Sequence, residues 1–143
     1  LDRPNADGAS PMLMAANSDH EKVVAYLCSV RADPCQAQHD GGAPLLVAAT
    51  RGHASLVGLL LDARADIERP LLDGATPLYG AAFSGHGAAV MALIARRVDV
   101  NKAKGDGVTP LIAAAHQGHA EVVTLLYDAG ADKPQAARLC RTP

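Results

Sequence analysis

The chain has 143 residues, 49% of them apolar and 20% charged, which is enough length and apolar content for a buried core and excludes a disordered composition. Thirteen basic residues against fifteen acidic ones leave a formal net charge of −2, with no basic excess for a polyanion, so nucleic acid is not an expected partner. No apolar run approaches the ~20 residues that cross a bilayer, and no basic-then-apolar leader is visible, so neither membrane insertion nor a signal peptide is expected.

Aromatic residues make up only 3%, with no Trp and a single Phe, Phe83. A core built without large rings has to be filled by Ala, Leu and Val at close range, which suits thin layers of short helices. Cys28, Cys35 and Cys140 match no zinc or redox spacing. A reduced, intracellular protein, cytoplasmic or nuclear, is the expectation. The first residue is Leu1, not Met, which suggests a fragment or a processed chain.

In chain order, one unit recurs four times with a period of 33 residues. The first, about 5–37, carries a turn at Asp7-Gly8, then Ser10, Pro11, the pair Ala15-Ala16, and His20. The second, about 38–70, repeats this as Asp40-Gly41, Ala43, Pro44, Ala48-Ala49 and His53. The third, about 71–103, reads Asp73-Gly74, Thr76, Pro77, Ala81-Ala82 and His86. The fourth, about 104–134, reads Asp106-Gly107, Thr109, Pro110, Ala114-Ala115 and His119. Residues 135–143 are expected to form a partial C-terminal helix or a tail, within a single domain spanning 1–143.

The fourth unit shows the chemistry most directly. Asp-Gly makes a tight turn, Gly supplying a positive φ. Thr109 caps a helix and Pro110 takes its first position, where a missing N–H costs nothing. Leu111, Ala114 and Ala115 give that helix an apolar stripe. Gly118-His119 ends it, and Val122, Val123, Leu125 and Leu126 carry a second helix closed by Gly130. Neither helix is long enough to stand alone, so burial has to come from stacked neighbours.

The stretches Asp73-Gly74-Ala75-Thr76-Pro77-Leu78 and Gly118-His119-Ala120-Glu121-Val122-Val123-Thr124-Leu125-Leu126 resemble the ankyrin-repeat signature, as do Val98-Asp99-Val100-Asn101 and Ala129-Gly130-Ala131-Asp132. The resemblance covers about residues 5–134. It implies an all-α solenoid of stacked helix-turn-helix pairs with β-turn fingers along one edge. It also implies a protein–protein interaction scaffold or adaptor that holds a protein or peptide on the concave finger and first-helix face. The alternative is a regulatory or targeting ankyrin domain of a larger multidomain enzyme or channel.

Departures from the repeat are where individuality lies. At the end of the second helix, where the family usually has a left-handed Gly, the chain has Arg31, Arg64, Arg97 and only then Gly130. The three arginines are either tolerated substitutions paired with Asp33, Asp66 and Asp99, or a basic strip for an acidic segment. In the cap position Ala43 stands where Ser10, Thr76 and Thr109 stand elsewhere, which weakens the second repeat. The histidine column is expected to be structural, because layers about 8–10 Å apart cannot close a metal site with ligands at about 2 Å. Every titratable residue in register recurs in each layer, whereas an enzyme needs a unique constellation. No catalytic residue, cofactor site or metal site is assigned.

Partner contacts are expected where repeats differ. These positions are Gln38 and His39 in the second finger, Leu71 and Leu72 in the third, and Lys104 in the fourth. Late in the first helices they are Asn17 and Ser18, Thr50 and Arg51, Phe83 and Ser84, and His116 and Gln117. Leu71, Leu72 and Phe83, beside Tyr79 and flanked by Arg51 and His116, form either the apolar centre of a contact patch or part of the core. The apolar first and last repeats suggest further repeats flanking this chain.

Overall fold

The computed structural model describes residues 4–6, 8–36 and 41–131, and these form eight helices with no strand among them. They come in pairs: α1 (Pro11–Asn17) with α2 (Glu21–Ser29), α3 (Pro44–Arg51) with α4 (Ala54–Asp62), α5 (Pro77–Ser84) with α6 (Gly87–Ile94), and α7 (Pro110–His116) with α8 (Ala120–Asp128). The first helices α1, α3, α5 and α7 stack in one layer, and the second helices in another. Packing is closer in the first-helix layer than in the second. The architecture is an all-α solenoid. No described helix is long and apolar enough to cross a membrane.

Each pair begins in the same way. The hydroxyls of Ser10, Thr76 and Thr109 accept from the backbone N–H of Leu13, Tyr79 and Ile112, and Pro follows each cap. Ala43 holds the same extended cap conformation but offers no acceptor. Gly52, Gly85 and Gly118 turn left-handed at φ of 80°, 78° and 77° between the helices of a pair. Asp19 makes that turn in the first repeat at φ 58°. Second helices end on Arg31, Arg64 and Arg97 at φ of 63°, 68° and 59°, and the fourth ends on Gly130 at 90°. These are the left-handed residues that the column implied.

The core is a set of columns running through the stack. Met12, Leu45, Leu78 and Leu111 form one, and Leu27, Leu60, Leu93 and Leu126 another. Ala48, Ala49, Ala81 and Ala82 are fully buried between them, their small side chains letting first helices approach closely. A fully buried Leu contributes about 1.5–3 kcal/mol, so a column repeated in every layer outweighs the weak propensity of such short helices.

The ends break the columns. Val23 is 47% exposed although its counterparts Leu56, Ala89 and Val122 are 0%, 0% and 1% exposed. Tyr26 and Met14 are exposed as well, while Ala115 is exposed in the last repeat although Ala16, Ala49 and Ala82 are not. The segment 135–143 and Cys140 lie outside the described residues.

Among the described residues, fingers precede α5 and α7. In the third, Leu71 N–H donates to the Ala75 carbonyl (2.8 Å) and Gly74 N–H to the Leu71 carbonyl (2.9 Å). The Asp73 carboxylate accepts from Ala75 N–H at 3.0 Å. The fourth finger repeats these bonds and is tied to the third by Gly105 N–H donating to the Asp73 carbonyl, 2.9 Å. A finger is therefore held by its own backbone and by its neighbour.

Candidate partner-binding surface

The third repeat carries the rings. Thr76 and Pro77 fix the start of α5, and Tyr79 and Phe83, four residues apart, therefore rise on one face of it. The two rings stack with centroids 6.1 Å apart and planes 16° from parallel. Lys104 reaches over from the fourth finger, its Nζ 5.6 Å from the Tyr79 centroid, a cation–π distance. Asp73 and Asp106 hold that ammonium from two fingers, each at 3.7 Å. The charge of Lys104 is thus compensated within the chain.

Two hollows flank this ridge. One, of about 300 Å³, lies toward the second repeat and is lined by Leu46, Thr50, Leu71, Ser84 and Lys104 together with both rings. The other, of about 270 Å³, lies toward the fourth repeat, between the rings and Val108, Ile112 and His116. Thr50 packs directly on Gly80, where any Cβ would collide with its hydroxyl oxygen. That hydroxyl is buried and has no hydrogen-bond partner among the described residues. From the far side, His119 Nε2 lies 3.0 Å from the Phe83 carbonyl, which accepts from it. The His119 ring also sits against Gly85, as that of His86 sits against Gly52, so this column clasps neighbouring repeats.

The structure brings half of the expected contact residues to the two hollows. Leu71, Thr50, Ser84, Tyr79, Phe83 and Lys104 line the first hollow, and His116 lines the second. Leu72 projects from the finger at 82% exposure and Phe83 is 44% exposed, so neither is core; Leu71 is half-buried. Arg51 is exposed at the end of α3, and no described carboxylate pairs with it. Gln117 is exposed at the end of α7, outside both hollows. Asn17 and Ser18 end α1 and line neither hollow. Gln38 and His39 lie outside the described residues.

Leu46 and Ile112 also line the hollows, and neither is among the positions at which partner contacts are expected. The sign was available: the column reads Leu13, Leu46, Tyr79, Ile112, and a Tyr among aliphatic residues marks a position with a polar exit.

The pairing expected for the arginine row is not observed. Asp33, Asp66 and Asp99 instead accept from the backbone N–H of Cys35, Glu68 and Asn101, closing the loop two residues on. Among the described residues no ion pair joins Arg31, Arg64 or Arg97 to them. A short carboxylate satisfies the nearest free N–H before it reaches a side chain on another element.

A larger hollow, about 620 Å³, opens between α2 and α4 along Ala25, Cys28, Leu59 and Ala63. In the next groove along, Arg96 stands at the position of Ala63 and spans to the Gly58 carbonyl and the Asp62 carboxylate. The hollow is the same groove without its arginine. Burial pushes the Cys28 thiol up, which disfavours a nucleophilic thiolate there.

A comparison with curated protein sequences gives no match. A comparison with protein families does: the ankyrin-repeat profile, described as ankyrin repeats in three copies, matches residues 1–70 and 45–137. With four stacked helix pairs among the described residues, this chain belongs to the ankyrin-repeat family.

Proposed function

We propose that this chain is a protein-interaction scaffold or adaptor that holds a partner protein or peptide on its finger and first-helix face, centred on Tyr79 and Phe83. Ankyrin repeats are in general protein–protein interaction modules. The observation that carries the choice of face is the stack of half-buried Tyr79 on exposed Phe83 with a hollow on either side. Rings that are partly solvated, stacked and bordered by polar side chains match the anatomy of an interface hot spot. The surround carries Asp73 and Asp106 beside Lys104, which suits a protein surface better than a phosphate backbone.

The test compares proteins recovered by the wild-type chain, by Leu72→Ala/Phe83→Ala, and by Met91→Ala, whose side chain is 55% exposed on α6. Recovery of a specific partner is expected to fall at least tenfold with the first variant and to stay level with the second, at unchanged melting temperature. Equal recovery by all three would place binding on another face.

A further inference from the structure

The two hollows have a spacing as well as a composition, and the spacing selects a kind of ligand. They share the Tyr79 and Phe83 rings as a common wall, and their outer walls come from α3 on one side and α7 on the other. They are therefore offset by one layer of the stack, about 8–10 Å for packed helices. A ligand filling both must present two side chains on one face at that separation and carry its backbone over the ridge between them.

Three backbone forms can be compared. In a β-strand, same-face side chains recur at about 7 Å and then about 13 Å, so neither spacing matches one layer. In an α-helix, positions i and i+7 lie about 10.5 Å apart, but the i+3 and i+4 side chains between them would strike the ring ridge. In a polyproline II helix, positions i and i+3 share a face about 9 Å apart, with no side chain between them on that face. Such a backbone also docks on aromatic-walled grooves and loses little entropy on binding.

Charge adds a direction. Lys104 is neutralised by Asp73 and Asp106, while Arg51, next in sequence to Thr50 in the first hollow, is exposed without a described carboxylate partner. The open cation thus lies at the first-hollow end, and a carboxylate on the ligand complements it.

We propose that the partner segment is a polyproline-II peptide with apolar side chains three residues apart, one in each hollow, and an acidic residue outside the first, against Arg51. This rests on the finger and first-helix face being the binding face and goes beyond it by naming the ligand.

The experiment measures fluorescence anisotropy of the full 143-residue chain with labelled ten-residue probes. One probe is proline-framed, with leucines three apart and a glutamate outside one of them, made in both chain directions. A second has the leucines two apart, a third has lysine for the glutamate, and a fourth is an alanine-rich helix with leucines seven apart. The first probe, in one direction, is expected to bind at least tenfold more tightly than the second and the fourth. Phe83→Ala is expected to weaken it tenfold or more. Arg51→Glu, an exposed change that leaves the fold alone, is expected to reverse the preference between glutamate and lysine probes.

Equal binding of the two-apart probe, tighter binding of the helical one, or an unchanged charge preference in Arg51→Glu would each overturn the proposal. So would the absence of binding by every probe. If in that case recovery of a natural partner still depends on Leu72 and Phe83, the face stands and only the ligand is wrong; if it does not, the face is wrong too.

Discussion

At the level of single residues, the structure singles out positions where one side chain departs from an otherwise uniform column. Ala43 adopts φ −104° and ψ 161°, the extended cap conformation of its counterparts, and is buried in the slot where they carry a hydroxyl. Ala43→Thr is therefore expected to stabilise the chain by about 1 kcal/mol, visible as a rise in melting temperature of a few degrees. Arg31, Arg64 and Arg97 hold a left-handed backbone that disfavours any side chain by about 1–2 kcal/mol each, part of which Gly returns through its freer unfolded state. Arg97→Gly is expected to raise stability by about 0.5–1 kcal/mol in chemical denaturation, and the triple glycine variant by more. The same triple variant tests the arginine row for contact. If melting rises while partner recovery collapses, the row is a docking strip; if recovery holds, it is scaffold. This residue-level detail was legible from the sequence because the repeat supplies its own reference: an odd letter in a regular column is visible at once. Pairing between columns was not legible, which is why Asp33, Asp66 and Asp99 turned out to bond their own loops.

Between elements, the closest constraint is the contact of α3 with α5, where Thr50 lies against the bare backbone of Gly80. Gly80→Ala is expected to cost about 1–2 kcal/mol, since the added methyl meets the Thr50 hydroxyl and overpacks the layer, despite the better helix propensity of Ala. Adding Thr50→Ala removes the obstruction, and the double variant is expected to return to wild-type stability or exceed it. A double-mutant cycle with no coupling between the two changes would mean that the helices do not touch there. Sequence alone showed helix starts and stops, because caps, prolines and glycines act over a few residues. It did not show the Thr50–Gly80 approach, nor the two hollows, since both depend on side chains 30 or more positions apart meeting across a layer. The groove between α2 and α4 was hidden for the same reason: only the placement of Arg96 against Gly58 and Asp62 shows what Ala63 leaves open.

Over the whole molecule, identical positions meet different surroundings according to their layer. Leu56 is sealed between repeats, while Val23, one period earlier, faces solvent. Leu56→Ala is expected to destabilise by about 2–5 kcal/mol, and Val23→Ala by less than about 0.5 kcal/mol, when both are compared by urea titration. Similar losses at the two sites would mean that Val23 is covered in solution. The periodicity announced the stack as a whole, and the burial of each column followed from it. What it could not announce was how each end differs from the middle, because a repeat carries the same letters wherever it is placed.

The ring ridge belongs to the third layer, but its hollows borrow walls from the second and the fourth. A molecule seated there acts as a rivet through three plates. The stabilisation it confers, about 2.7 kcal/mol at a hundredfold excess over Kd, falls on those layers jointly, so they open as one unit while α1 and α2 keep their own looser equilibrium. Occupancy would thus be written along the chain as a step in local opening near residue 44, with the first repeat, which the ligand does not touch, on the looser side of it.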